Sequence, residues 1–276
     1  MVNTYTYNST TDIVRLVQIT DPHLFKDENG ELLGINTLAS FNQVLTEIQA
    51  SQFSFDFVLA TGDLVQDSSD EGYIKFAERI NTLNKPVFWI PGNHDFQPKM
   101  EAFLTEQYGN LYTQKHLLLG DKWQVLMLDS QVFGVPHGNL VPYQLDWLRD
   151  RLKEYPERYA LIVLHHHILS TNSAWLDQHN LRNSEELAQT IAPFNHVKGI
   201  MHGHIHQEVN ASWNGYMLMS TPSTCVQFKP DCNSFTLDML QPGWREIELH
   251  SRGEIVTCVK RIEQLSFLPN THEEGY

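Results

Sequence analysis

The chain has 276 residues, of which 41% are hydrophobic and 19% are charged, so it can bury a sizeable core without disulfide bonds. Thirty-three acidic residues against 19 basic ones leave a formal net charge of −14, which argues against a nucleic-acid-binding protein because such proteins need a Lys/Arg surplus. No run approaches the roughly 18 apolar residues of a membrane span, and the N-terminus lacks the features of a secretion signal, so we expect a cytoplasmic protein without a membrane partner.

The first half of the chain alternates between strand and helix patterns. Apolar runs predict strands over 14–20, 55–60 and 86–90, and apolar residues at helical spacing predict helices over 38–48 and 73–83. Each of these strands runs into a polar segment: Asp21-Pro22-His23, Thr61-Gly62-Asp63 and Pro91-Gly92-Asn93-His94-Asp95. This β–α alternation predicts a parallel sheet and an α/β fold.

The second half mixes hairpins with two further β–α units. We expect a helix over 98–107, a hairpin of 115–119 with 123–128, a helix from Pro142, and a strand over 160–164 that ends at three histidines. Asn183 and Glu186 resemble a capping box for a helix reaching residue 191, and a strand over 197–201 leads into His202-Gly203-His204. Asn214-Gly215 marks a hairpin, and 246–250 with 254–259 form another.

The chain shows neither an internal repeat nor a linker. We therefore expect a single domain over 1–276 with a short C-terminal tail at 270–276. The three cysteines, Cys225, Cys232 and Cys258, are too few for a disulfide framework, and we expect reduced, packed thiols.

Five predicted strand ends finish in side chains that can bind metal. They carry Asp21 with His23, Asp63, Asn93 with His94, the histidines 165–167, and His204 with His206. Ligands in open α/β sheets bind at the carboxyl ends of the strands, so we expect these side chains to converge. The pairs Asp21/His23 and His204/His206 are two residues apart, and in an extended segment both members would point the same way.

These blocks, in this order, resemble the signature of the calcineurin-like binuclear metallophosphoesterases. They are Asp21-x-His23, Gly62-Asp63, Gly92-Asn93-His94-Asp95, His165/His166 and Gly203-His204-x-His206. The stretches 129–138, 175–183 and 221–230 further resemble the bacterial class III 3′,5′-cyclic AMP phosphodiesterases of that family. The resemblance implies a four-layer αββα sandwich of two mixed sheets flanked by helices. It also implies hydrolysis of 3′,5′-cyclic AMP to 5′-AMP by a metal-bridging hydroxide.

The resemblance also implies a ligand set for two divalent metal ions. Asp21, His23 and His206 would bind one ion, Asn93, His165 and His204 the other, and Asp63 would bridge them. Fe and Mn suit these ligands best, and Zn or Co also fit. The family usually has His-His-Pro in the fourth block, and this chain has no proline there, so His166 stays open as an alternative to His165.

Catalytic roles follow from the same resemblance. His94 would stabilise charge or protonate the leaving oxygen, and Asp95 would orient His94. The substrate, a small cyclic nucleotide, would meet the side chains around the metal ions: His23, Asp63, Asn93, His94, His165 and His206.

Two other functions remain open at this point. The same metal site would serve a broad phosphodiesterase acting on 2′,3′-cyclic nucleotides or other diesters, and the protein could instead be a non-catalytic binding scaffold. We expect His167 to point away from the site and His202 to be a wall or core residue. Three aromatic residues, Trp175, Phe228 and Trp244, either stack on an adenine or pack in the core.

Overall fold

The computed structural model describes residues 4–271 and residue 275. Its helices are α1 (Thr37–Ala50), α2 (Asp70–Ile80), α3 (Gln97–Phe103), α4 (Pro142–Glu154) and α5 (Ser184–Ile191). Its strands are β1 (Thr4–Tyr7), β2 (Ile13–Ile19), β3 (Glu31–Leu32), β4 (Ile35–Asn36), β5 (Phe57–Ala60), β6 (Val87–Trp89), β7 (Leu111–Tyr112), β8 (His116–Leu119), β9 (Trp123–Met127), β10 (Tyr159–Val163), β11 (Val197–His202), β12 (Val209–Trp213), β13 (Tyr216–Ser220), β14 (Gln227–Phe228), β15 (Leu237–Asp238), β16 (Gly243–His250) and β17 (Ile255–Arg261).

Two large mixed sheets form the centre of the molecule. One has the strand order β17-β16-β2-β5-β6-β7, and the other has β1-β8-β9-β10-β11-β13-β12. The predicted β–α units form the parallel parts, β2-β5-β6-β7 and β9-β10-β11-β13, whereas the predicted hairpins β8/β9, β12/β13 and β16/β17 are antiparallel. The expected α/β fold with two mixed sheets is confirmed.

Residue alternation along the strands builds four layers. In β2, Leu16 faces the second sheet and packs in a cluster that includes Phe57 and Leu161. Its neighbours Val17 and Ile19 face the other way, into the core beneath α1 and α2. The second sheet is covered on its outer face by the leucines of α4 and by Leu187 and Ile191 of α5, which gives the order helices, sheet, sheet, helices.

Some local predictions were wrong. α3 ends at Phe103, four residues before its predicted end. Asn183 occupies the N-cap position of α5, but its side-chain oxygen accepts from the amide of Leu140 at 2.9 Å, so the capping box is not formed. The edge strand β1 was not predicted, although Tyr5 and Tyr7 alternate with threonines and pack against the cluster that contains Leu16.

The predicted C-terminal tail at 270–276 lies largely outside the described residues, since 272–274 and 276 are not among them. Within the described part of the chain, no helix is both long and apolar enough to cross a lipid bilayer.

Candidate metal centre

The loops after the parallel strands bring the predicted ligands to one place. Asp21 and His23 follow β2, Asp63 follows β5, and Asn93 follows β6 in the first sheet. His165 follows β10, and His204 and His206 follow β11 in the second sheet. The centre therefore lies where the carboxyl ends of both sheets meet, and all of these side chains are buried except that of Asn93, which is half-buried.

The backbone at five of the predicted ligands is in the left-handed region, which residues other than glycine adopt at a cost in free energy. The φ angles are +53° at Asp21, +48° at His23, +51° at Asp63, +70° at His204 and +51° at His206. The expectation that the two pairs are extended is therefore wrong. Five of the seven predicted ligands therefore each lie at a backbone kink of their own, and strain of this kind is typical of functional sites.

Two glycines allow the loops to approach each other. A Cβ at Gly92 would lie 2.2 Å from Asp63 Oδ1, and a Cβ at Gly203 would lie 2.0 Å from the hydroxyl of Thr20. Any other residue at these positions would push apart the loops that carry the ligands.

Three histidines present the same ring nitrogen to the centre. Nδ1 of His165 donates to Thr61 O at 2.7 Å, and Nδ1 of His206 donates to Val226 O at 2.9 Å. Nδ1 of His23 lies 2.6 Å from Gln66 Oε1. Because a carbonyl oxygen only accepts, Nδ1 carries a proton in each ring, and Nε2 is the nitrogen left to bind a metal ion.

The Nε2 atoms and carboxylate oxygens crowd together in a way that hydrogen bonds do not explain. His23 Nε2 and His206 Nε2 are 3.2 Å apart, and His206 Nε2 is 3.4 Å from Asp21 Oδ1. Among the described residues, Asp21 Oδ1 and His204 Nε2 are buried without a hydrogen-bond partner. Facing lone pairs and orphaned buried oxygen are unfavourable unless a cation lies between them, so these residues fit divalent metal ions.

The ligand atoms form overlapping groups. Those of Asp21, His23 and His206 lie within 4.8 Å of one another, as do those of Asp21, Asp63 and His165. Asp63 therefore lies between the two ends of the centre, where a bridging carboxylate would be.

His165 and His166 both lie at the centre but differ in their contacts. His165 Nε2 is 3.3 Å from Asn93 Oδ1 and 3.3 Å from Asp63 Oδ2. His166 directs Nδ1 to the hydroxyl of Ser130 at 2.8 Å, and its ligand atom lies within 4.8 Å of those of His165 and His204. The contacts with Asn93 and Asp63 favour His165 as the ligand.

Burial and the charges of neighbouring side chains set the protonation of the centre. Burial lowers the pKa of His23 to about 3 and the pKa of His204 well below its ordinary value, so both imidazoles are neutral at pH 7. For Asp63, burial acts to raise the pKa, but neighbouring histidines, His165 first, outweigh it and the pKa falls well below its usual range. Burial acts to lower the pKa of His165, but Asp63 outweighs it and raises that pKa to about 9. Because neutral histidine and ionised aspartate are the forms that bind metal, His165 would release a proton on binding a cation.

His94 lies at the solvent-facing edge of the centre. Its amide donates to Asp63 Oδ1 at 2.8 Å, and its ring is 5.1 Å from that of His23 at an interplanar angle of 79°. The imidazole is half-buried and faces a cavity of about 440 Å³, which is also lined by Asn93, His204 and Trp175. This volume is within the range of small-molecule sites.

Asp95 bonds to the backbone of the ligand loops. Its carboxylate accepts from the amides of Leu64, Val65 and Gly92 and from the hydroxyl of Tyr73. It therefore ties the Asp63 loop to the Asn93 loop. Burial, helped by Asp63, raises the pKa of Asp95 to about 7. The role of Asp95 in orienting His94 stays a prediction.

Residues that the sequence did not reveal complete the centre. Gln66 and Tyr73 support His23 and Asp95, and Gln131 Nε2 donates to the carbonyls of Gly92 and Asp95, both at 2.6 Å. No spacing rule marks Gln66 or Tyr73. Gln131 lies in the stretch 129–138 that carried part of the family resemblance.

His167 and His202 lie in different surroundings. The ring of His167 stacks on that of His204 at 5.4 Å and 18°, while its Nε2 lies 3.6 Å from Asp177 Oδ1. It lies beyond the end of β10 at Val163, so strand alternation does not apply to it. His202 lies buried within β11, as expected for a core residue.

Comparison with known proteins gives consistent results. Residues 14–208 match the family model described as calcineurin-like phosphoesterase. A 3′,5′-cyclic adenosine monophosphate phosphodiesterase from Haemophilus influenzae is 66% identical over 276 residues, covering 100% of both chains. The protein of the same name from Escherichia coli K12 is 51% identical over 95% of both chains.

Solved structures support the fold. A dimetal phosphatase from Danio rerio superposes with a TM-score of 0.63 over 88% of this chain and 98% of that chain, at 14% identity. A purple acid phosphatase from yellow lupin gives a TM-score of 0.61 over 95% of this chain and 54% of that chain, at 13% identity.

Proposed function

Because the chain belongs to the calcineurin-like phosphoesterase family, we propose that it hydrolyses 3′,5′-cyclic AMP to 5′-AMP with the help of two divalent metal ions. The observation that carries the proposal is the meeting of buried, unpartnered ligand atoms from both sheets beside an open cavity. The choice of substrate is supported by two relatives of that name that match almost the full length of the chain.

The ligands divide between two ions. Asp21, His23 and His206 would hold one ion. Asn93, His165 and His204 would hold the other, and Asp63 would bind both. Imidazole nitrogen with carboxylate and amide oxygen suits Fe and Mn, and also Zn or Co, so we propose Fe or Mn as the native metals.

When bound, two divalent cations would lower the pKa of water toward about 7 and offset the negative charge of the phosphodiester. The side chains of the protein position the substrate and transfer a proton. The oxygen of a water molecule forms a bond to phosphorus as the bond from phosphorus to the 3′ oxygen breaks, and the 3′ oxygen must gain a proton. His94 faces the cavity from the edge of the centre, so its imidazole is placed to donate that proton.

A substrate panel tests the proposal. We expect kcat/KM of the metal-loaded protein to be higher for 3′,5′-cyclic AMP than for 2′,3′-cyclic AMP or bis(p-nitrophenyl) phosphate. Asp63→Asn should abolish all three activities, whereas Asp67→Asn, four residues away on the exposed surface, should keep them. Equal rates for all substrates would favour a broad phosphodiesterase, and no hydrolysis by metal-loaded protein would leave a binding scaffold.

We also propose that the protein works in the cytoplasm. The three cysteines are free thiols, which fits a reducing compartment. Cell fractionation with an antibody against the chain would test this, and recovery from the periplasm would contradict it.

A further inference from the structure

The cavity beside the centre has one polar end and one aromatic wall. Asn93, His94 and His204 line it at the candidate metal centre, and Trp175, Phe235 and Pro136 line it elsewhere. A phosphodiester bound at the polar end would extend its other groups along this wall. The residues on this wall can therefore contact the part of the substrate that does not react.

The structure separates the three aromatic residues that the sequence left open. Trp244 is buried in the core beneath α1, and Phe228 is buried with its ring stacked on His206 at 4.2 Å and 10°. Neither of them lines the cavity. Trp175 does line it, and its side chain is half-buried.

Trp175 is held rigidly by its aromatic neighbours. Its ring packs edge-to-face on Phe228 at 5.1 Å and on Phe235 at 5.0 Å. Because Phe228 also stacks on His206, the position of the indole is fixed relative to the candidate metal ligands. A rigid aromatic ring loses little conformational entropy when a ligand stacks on it.

The shape of the indole suits a base. A purine offers a flat aromatic face that can stack on an aromatic ring lining the cavity, whereas a phosphodiester without a base offers none.

We propose that Trp175 forms the binding subsite for the adenine base, and so determines specificity for a nucleoside phosphate over a phosphodiester that has no base. This inference rests on the proposed function, and it assigns Trp175 a role in substrate recognition and none in bond cleavage.

Calorimetric titration of the metal-loaded protein with 5′-AMP and with ribose 5-phosphate tests the subsite, because ribose 5-phosphate carries a hydroxyl group where 5′-AMP carries the base. The wild-type protein should bind 5′-AMP more tightly, by about 5- to 150-fold, the range expected for stacking of one base. Trp175→Ala should bring this ratio close to one and leave the affinity for ribose 5-phosphate unchanged. Trp175→Phe, which keeps a smaller aromatic ring, should retain part of the preference.

Tyr143→Ala is the matched control, since Tyr143 is 71% exposed and does not line the cavity. An unchanged ratio in Trp175→Ala, or equal losses for both ligands, would overturn the assignment. If the base preference depends on Trp175 but the wild-type protein does not hydrolyse 3′,5′-cyclic AMP, the proposed function fails and the subsite stands.

Discussion

The carboxylate of Asp95 should be one of the most sensitive positions in the protein, although it is not assigned as a metal ligand. The side chain is 3% exposed and accepts hydrogen bonds from four donors, three on the two ligand loops and the hydroxyl of Tyr73 in α2. Asp95→Ala would leave all four donors without an acceptor. Each unsatisfied buried donor costs about 1–3 kcal/mol, and water entering the space recovers part of this.

We therefore expect Asp95→Ala to lower the free energy of unfolding by about 3–6 kcal/mol. In a protein of this size the melting temperature should fall by about 5–12 °C. Asp95→Asn keeps one acceptor oxygen but turns an amide group toward backbone N–H groups, so its melting temperature should lie between those of Asp95→Ala and the wild type. Catalytic activity should fall in both variants because the Asp63 and Asn93 loops lose their link.

Thermal unfolding followed by circular dichroism, with metal content measured on the same samples, checks this expectation. Asp121→Ala is the control, because Asp121 lies exposed in the turn between β8 and β9. If Asp95→Ala melts within about 2 °C of the wild type, the carboxylate does not hold the loops together and the reasoning is wrong.

Three further predictions concern the centre and the fold around it. His94→Ala should retain both metal ions by elemental analysis while kcat falls by about 10²- to 10⁴-fold, and loss of metal would instead make His94 a ligand. Exhaustive chelation should abolish turnover and lower the melting temperature, because Asp21 and Asp63 would remain as buried carboxylates without a cation. Added metal should restore both turnover and melting temperature. Full turnover after chelation would contradict a metal mechanism. Burial lowers the pKa of His116 to about 4, so the unfolded chain binds a proton that the native chain does not as the pH falls below 6.5. Wild-type stability should therefore drop between pH 6.5 and pH 4, with at most about 3 kcal/mol of the drop due to His116. His116→Gln should lose less stability in denaturant titrations at the two pH values, and equal losses would exclude a contribution from His116.

Much of the fold could be predicted from local pattern. The parallel strands, both helices of the first half and the three hairpins follow from the spacing of apolar residues and from turn residues such as Asn214-Gly215, where both φ angles are positive. The exceptions depend on distant partners. β1 exists because it pairs with β8, and the cap of α5 is replaced by a bond between Asn183 and Leu140.

The order of residue types along the chain is enough to say which side chains end each strand, and therefore that carboxylates and imidazoles gather at the carboxyl edges of the sheets. How these side chains act there depends on contacts between distant segments. Thr61 and Val226 hold the Nδ1 protons of His165 and His206, and left-handed backbone turns the ligands inward. The position of each Nδ1 proton and the backbone conformation at each ligand depend on hydrogen-bond acceptors and packing from other segments of the chain. A local pattern carries residue type and spacing, whereas the direction of a lone pair is set by contacts between segments far apart in the chain.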